Sequence, residues 1–221
     1  MLFRSFYISS KKSLIESKNR ISGSIRTVEM CEETFLEIDE PNDWTIIEGL
    51  LRKREQDASA KKKSRIRMFL TDCDGCLTDG GMYYSEKGDE LKKFNTRDGM
   101  AFSMLREKGI LTGIITGEDV ELVRRRAEKL MLDIYEPGCK DKEDVIKTLC
   151  QKYNIDLSQV VYIGDDINDL ESLKMVGYGW VPADAIKRVQ ENARYIAKSK
   201  GGEGVIREVA EWVLSKIETD E

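Results

Sequence analysis

Residues 69–81 read FLTDCDGCLTDGG: the end of an apolar run, two aspartates two positions apart, then glycines. The run itself, IRMFLT from Ile66 to Thr71, is apolar from Met68 to Leu70 and has the length of a strand buried on both faces. Asp72 and Asp74 therefore leave the carboxyl end of a strand together, where like charges repel. Such a pair calls for a counterion or a chemical use.

Working outward, strand-like and helix-like segments alternate. GMAFSMLREKG (99–109) reads as a helix closed by glycine, and ILTGIIT (110–116) as a second buried strand. DVELVRRRAEKL (119–130) sets Val120, Val123, Ala127 and Leu130 on one stripe; KEDVIKTLCQKY (142–153) does the same with Val145, Ile146, Leu149 and Tyr153. IYEP is a short strand between them, and VVYIGD (160–165) is a third strong one. Helix DLESLKMVG, strand YGWVP, helix AIKRVQENA, short strand RYIAK and amphipathic helix VIREVAEWVLSKI complete the chain. Repeated β-α units predict an α/β fold, a doubly wound Rossmann-like parallel sheet whose ligands sit beyond the carboxyl ends of the strands. One stretch breaks the alternation. MYYSEKGDELKKF (82–94) reads as a β-hairpin inserted just past the first strand, in the position of a small lid.

Residues 1–60 read differently. FLEIDEPNDWTIIEGLLRKREQ (35–56) suggests a strand, a turn at Pro41 and a helix from about Asn42, followed by a polar linker, DASAKKKS. This piece is too short to bury a core of its own, so the expected division is an appendage over 1–60 and one domain over 61–221.

Composition removes several function classes. The chain has 221 residues, 40% of them apolar, and 36 basic against 41 acidic residues for a net charge of -5. No basic patch beyond the local Lys61, Lys62 and Lys63 is evident, and the apolar runs are strand-length. Neither nucleic acid nor a membrane is expected as a partner. The basic, serine-rich start lacks the apolar core of a secretory signal, and five cysteines without a second CxxC suit small packing residues in a reducing cytoplasm. There is no histidine, which excludes Ser-His-Asp and Cys-His hydrolases and HExxH zinc peptidases. Any catalysis must draw on carboxylates, lysines and hydroxyls, with or without a metal.

In the expected sheet, Asp72 and Asp74 share one edge with Thr116 after the second strand and with Asp165, Asp166 and Asp169 of GDDIND after the third. Acids converging on one crevice need a cation, and Mg²⁺ suits hard oxygen ligands while leaving room for water and a phosphate. Asp72 could be both ligand and nucleophile, as aspartates are in acyl-phosphate chemistry. Asp74 could protonate a leaving alcohol and then deprotonate water. Thr116 and the amides of Gly75 and Gly117 can donate to phosphate oxygens, and Lys142 can neutralise them.

DCDGCLTDG, IITGE, KDK and GDDINDL, in this order, resemble the four motifs of the haloacid dehalogenase-like phosphatases, and of their small members with a hairpin in place of a cap. The resemblance covers about residues 65–217. It implies Asp72 as nucleophile, Asp74 as acid/base, Thr116 and Lys142 as phosphate binders, and Mg²⁺ held by Asp72, Asp165 and the carbonyl of Asp74, with Asp166 and Asp169 supporting. FNTRDG, RRRAEKL, KDK and GGEGVIREV further resemble the phosphatases of 3-deoxy-octulosonate 8-phosphate and of nine-carbon sialic-type sugar acids. Those enzymes are usually tetramers. Glu118 after the second motif matches the nine-carbon branch, so a nine-carbon sugar-acid phosphate is the expected substrate, the octulosonate the alternative. Glu118, Arg126 and Lys129 are then expected to meet the sugar acid, the last two across a subunit interface. FYISSKKSLIESKNRISGSIRTVEM and EIDEPNDW resemble the final part of an acylneuraminate cytidylyltransferase, without its nucleotide-binding front. This leaves one reading of another class, a non-catalytic oligomerisation module attached to such an enzyme; the intact catalytic motifs favour the phosphatase.

Overall fold

The computed structural model describes residues 10–19, 40–86 and 88–220. The chain divides into two units, residues 1–58 and 59–221. Helix α1 (Lys11–Ser17) is capped by the Ser10 side chain, which accepts from the Ser13 amide. Helix α2 (Pro41–Ser64) begins on proline, whose missing N–H costs nothing in a first turn. It also runs through 57–64, where a linker was expected. DASAKKKS contains neither glycine nor proline, and alanine and lysine are strong helix formers, so nothing in that stretch ends the helix. The expected strand before Pro41, Cys31 and most of the cytidylyltransferase-like stretch lie outside the described residues. Among the described residues no helix is long and apolar enough to cross a membrane.

The second unit is the expected doubly wound sheet. In chain order it comprises β1 (Met68–Thr71), the hairpin strands β2 (Tyr83–Ser85) and β3 (Gly88–Leu91), α3 (Thr96–Glu107), β4 (Leu111–Ile115), α4 (Glu121–Leu130), β5 (Ile134–Glu136) and α5 (Lys142–Tyr153). There follow β6 (Val160–Ile163), α6 (Leu170–Met175), β7 (Tyr178–Val181), the single turn α7 (Lys187–Gln190), β8 (Tyr195–Ile196) and α8 (Val205–Asp220). Six strands pair in parallel in the order β5-β4-β1-β6-β7-β8. The chain builds outward from β1 on one side, then crosses to begin again on the other. That reversal opens a crevice at the carboxyl end of β1, the place where such sheets bind ligands.

Alternation along the strands makes two cores. Phe69, Val161 and Ile163 point to the face covered by α3, α4 and α8, where Phe102, Leu105, Val123, Val209 and Val213 are fully buried. Met68, Leu70, Val160 and Tyr162 point to the opposite face, against Ile146, Leu149 and Leu173 of α5 and α6. At the far edge Trp180 stacks on Tyr195, with Trp212 packed edge-on. The hairpin pairs antiparallel with an irregular register, and Thr78 bridges Phe94 at its base.

Candidate active site

Thr71 is in register with Ile114 of β4 and Ile163 of β6, so Asp72, Thr116 and Asp165 emerge from three adjacent strands within a residue or two of each other. The Asp72 amide donates to the Ile163 carbonyl at 2.8 Å, tying it to β6. Its carboxylate Oδ1 accepts from the Cys73 amide at 2.7 Å, and Oδ2 lies 2.9 Å from Lys142 Nζ. The backbone then turns sharply, with Gly75 at φ 81°. A side chain at Gly75 would be strained there and its Cβ would run into Asp165 Oδ2. Glycine is what lets the turn and the third-strand carboxylate approach each other.

Lys142, at the start of α5, is 1% exposed and bridges Asp72 to Asp169 Oδ1 at 2.7 Å. Tyr162 donates its hydroxyl to the same Oδ1 at 2.5 Å. Asp169 Oδ2 accepts from the amides of Asp165 (3.1 Å) and Asp166 (3.3 Å). Every Asp169 oxygen is thus committed to protein donors, which makes it the brace that holds Lys142 and the GDD turn in place. Burial works against the charge on Lys142, but Asp72 and Asp169 outweigh it and hold its pKa above the ordinary lysine value. It is a permanent cation beside Asp72.

One lysine does not neutralise the crevice. Burial, and then the facing Asp169, push the Asp72 carboxyl up to about 7; burial, and then Asp72, do the same to Asp165. Asp72, Asp165 and Asp169 offer oxygens within 4.8 Å of one another. With Asp169 committed elsewhere, Asp72 and Asp165 remain as two hard oxygen donors facing each other at a raised energetic cost, and a divalent cation relieves it. The donor chemistry fits magnesium.

An open cavity of about 440 Å³ lies over this cluster, lined by Asp72, Asp74, Gly75, Thr116, Gly117, Glu118 and Asp165 among others. Those seven expected residues are thus brought together, with Lys142 directly beneath. Thr116 is 1% exposed; its hydroxyl accepts from the Glu118 amide at 3.3 Å. Arg126 and Lys129 do not line the cavity within this chain. Arg126 donates to the Asn95 carbonyl at 3.3 Å and sits over the Phe94 ring, while Lys129 is exposed on α4. Cys73 and Cys76 are free and fully buried, as packing residues should be.

The sequence reading missed Lys92, at the return of the hairpin. Its ammonium lies 2.7 and 2.6 Å from the two oxygens of Asp74 and 2.6 Å from Glu118 Oε2, and its side chain is 2% exposed. It also missed the pin behind the crevice. Gly202 donates to the Cys76 carbonyl at 2.9 Å, and Asp98, buried in α3, accepts from the Arg207 amide in the first turn of α8. GGEG is therefore the seat of the turn that carries Asp72 and Asp74, placed by α3 and α8.

Comparison with known proteins agrees with this geometry. A model of the haloacid dehalogenase-like hydrolases matches residues 118–209. The 3-deoxy-D-manno-octulosonate 8-phosphate phosphatase KdsC of Haemophilus influenzae is 32% identical over 154 residues, 70% of this chain and 86% of that protein. This chain belongs to the haloacid dehalogenase-like hydrolases. Within them it is of the 3-deoxy-octulosonate 8-phosphate phosphatase type, and it is a phosphoric monoester hydrolase. The solved phosphatase of that type from Moraxella catarrhalis, in complex with a magnesium ion, a phosphate ion and KDO, superposes with a TM-score of 0.66 at 34% identity, covering 73% of this chain and 97% of that one. N-acylneuraminate cytidylyltransferase A of Danio rerio is 30% identical over 216 residues, 95% of this chain; the chain spans about half, 49%, of that longer relative. The named phosphatases lean toward the eight-carbon acid, against the nine-carbon substrate that Glu118 suggested.

Proposed function

We propose that this hydrolase removes the terminal phosphate of a 3-deoxy-2-keto sugar acid through an aspartyl-phosphate, with 3-deoxy-octulosonate 8-phosphate as its first-choice substrate. The observation that carries the chemistry is Asp72, fixed at the end of β1 by two backbone bonds and paired with a fully buried lysine. A carboxylate so oriented beside a permanent cation is a nucleophile placed under a phosphoryl group. Magnesium is the cofactor; Asp72, Asp165 and the Asp74 carbonyl would hold it, and bound there it supplies charge for the phosphate oxygens.

In the first step the Asp72 oxygen forms a bond to phosphorus as the bond from phosphorus to the sugar oxygen breaks, and Asp74 gives that oxygen its proton. In the second, Asp74 takes a proton from water, whose oxygen bonds to phosphorus as the Asp72–phosphorus bond breaks. Inorganic phosphate leaves and Asp72 is restored. Lys142, the Thr116 hydroxyl and the amides of Gly75 and Gly117 stabilise the phosphoryl oxygens throughout.

Similarity to the named phosphatases supports the eight-carbon acid. Glu118, lining the cavity, and the similarity of nearly the whole chain to an acylneuraminate cytidylyltransferase favour a second reading, an acylneuraminate 9-phosphate or its deaminated analogue. Assembly as a tetramer would give Arg126 and Lys129 a route to a neighbour's substrate carboxylate, which arginine and lysine suit. The deciding experiment is phosphate release with Mg²⁺ from the three sugar-acid phosphates side by side. The highest kcat/KM is expected on the octulosonate; preference for either nine-carbon ester would move the assignment to the sialic-type acids.

A further inference from the structure

The hairpin lysine Lys92 is assigned no part in the chemistry above, yet it touches the acid/base. Its two neighbours in the chain point elsewhere: Leu91 is 62% exposed, and Lys93 pairs with Asp79 at 3.0 Å on the surface. Lys92 alone turns inward, burying an ammonium that would be costly without partners. Its partners are both oxygens of Asp74 and one oxygen of Glu118, all within 2.7 Å. Thr78 adds a hydroxyl bond to Asp74 Oδ1 at 3.1 Å.

We infer that Lys92 is the positioning residue of the acid/base Asp74, a clamp that fixes the carboxyl for proton transfer and anchors the hairpin lid to the crevice. The geometry explains why one lysine needs two acceptors. When Asp74 carries its proton, an ammonium held by Asp74 alone would lose an acceptor in a buried site; Glu118 keeps it in place. The carboxyl then finds the same donor when it becomes a base again. Proton transfer falls off with small displacements, so a carboxyl free to rotate loses rate even though every reacting group remains present. This inference rests on the phosphatase reading and on Asp74 as its acid/base.

The test compares the full chain with its Lys92→Met and Lys92→Arg variants, all with Mg²⁺, on three esters: the sugar-acid phosphate, ethyl phosphate and p-nitrophenyl phosphate. kcat/KM reports steps up to phosphoryl transfer to Asp72, and an alkoxide must be protonated as it leaves whereas p-nitrophenolate need not be. Lys92→Met is expected to lower kcat/KM on both alkyl esters about tenfold to a hundredfold, while p-nitrophenyl phosphate stays within about threefold. Lys92→Arg, which keeps the charge, is expected to recover part of the loss. An equal fall on all three esters would mean damaged structure, and a fall on the sugar-acid ester alone would make Lys92 a binding group; either overturns the clamp, as does unchanged kcat/KM on all esters. Failure of the wild-type chain to hydrolyse any of the three overturns the phosphatase reading itself, and the clamp with it.

Discussion

Asp72 and Asp165 bear the electrostatic cost of the crevice, and that cost fixes how it responds to pH. Both carboxyls are raised from the ordinary 3.8 to about 7, by burial first and by their acidic neighbours second. The folded, metal-free protein therefore holds protons that the unfolded chain has released, and stability from these groups is lost as pH rises from about 4 through about 7. Magnesium held as proposed would bind the ionised forms, so protons would compete with it. The rise in Tm produced by saturating Mg²⁺ is expected to be larger near pH 8 than near pH 5, as read by thermal unfolding at about both values; an equal rise at both would mean that these two carboxyls do not hold the metal. The two aspartates, Thr116 and Lys142 were legible in the sequence because each follows or begins a strongly patterned element. Lys92 was not. Which of the adjacent Lys92 and Lys93 turns inward depends on the register shift within the hairpin, between Tyr83 and Tyr84, and no periodicity encodes that shift. Asp169 does two jobs at once: Oδ2 completes a capping box by accepting from the Asp166 amide, while Oδ1 serves Lys142 and Tyr162, and only the first is a local feature that spacing can suggest.

At the scale of elements, the turn that carries Asp72 and Asp74 is held from behind by the loop that leads into α8. A Cβ at Gly201 would drive into the Gly75 carbonyl oxygen, and Gly202, at φ 64°, donates to the Cys76 carbonyl. Asp184 fixes the same loop by accepting from the Gly201 amide at 3.0 Å. Backbone against backbone leaves no flexible side chain to give way. Gly201→Ala is expected to destabilise the fold by about 1–3 kcal/mol, the usual cost of overpacking, and to lower kcat at least about tenfold by moving the turn that carries Asp72 and Asp74. Urea unfolding and steady-state kinetics check the two effects; unchanged kcat would show that the loop does not seat the turn. The alternation of elements was readable because strands β1, β4 and β6 are short, mainly apolar runs and the helices carry stripes. Residues 57–64, expected as a polar linker, continue α2 because alanine and lysine favour helix, and the two units divide within that stretch, between residues 58 and 59.

For the molecule as a whole, the parallel sheet converts four short sequence motifs, far apart in the chain, into one acidic crevice. Registers of β1 with β4 and β6 place Asp72, Thr116 and Asp165 at one edge, and Lys142 closes the cluster from α5. The crevice gathers two carboxylates at one strand end, a fixed cation and hydrogen-bond donors, the set that the proposed phosphoryl transfer needs, and membership of the haloacid dehalogenase-like hydrolases accords with it. The choice of sugar acid was less legible than the chemistry, because it rests on Glu118 and on Arg126 and Lys129, which lie off the cavity within one chain. The measurement that reaches the centre is phosphate release from 3-deoxy-octulosonate 8-phosphate with Mg²⁺ by the wild-type chain and by Asp72→Asn, with unfolding curves for both. Release by the wild type and none by Asp72→Asn, with the variant still unfolding cooperatively in the absence of Mg²⁺, is the expected result. Phosphate release by Asp72→Asn at the wild-type rate would contradict an aspartyl-phosphate on Asp72.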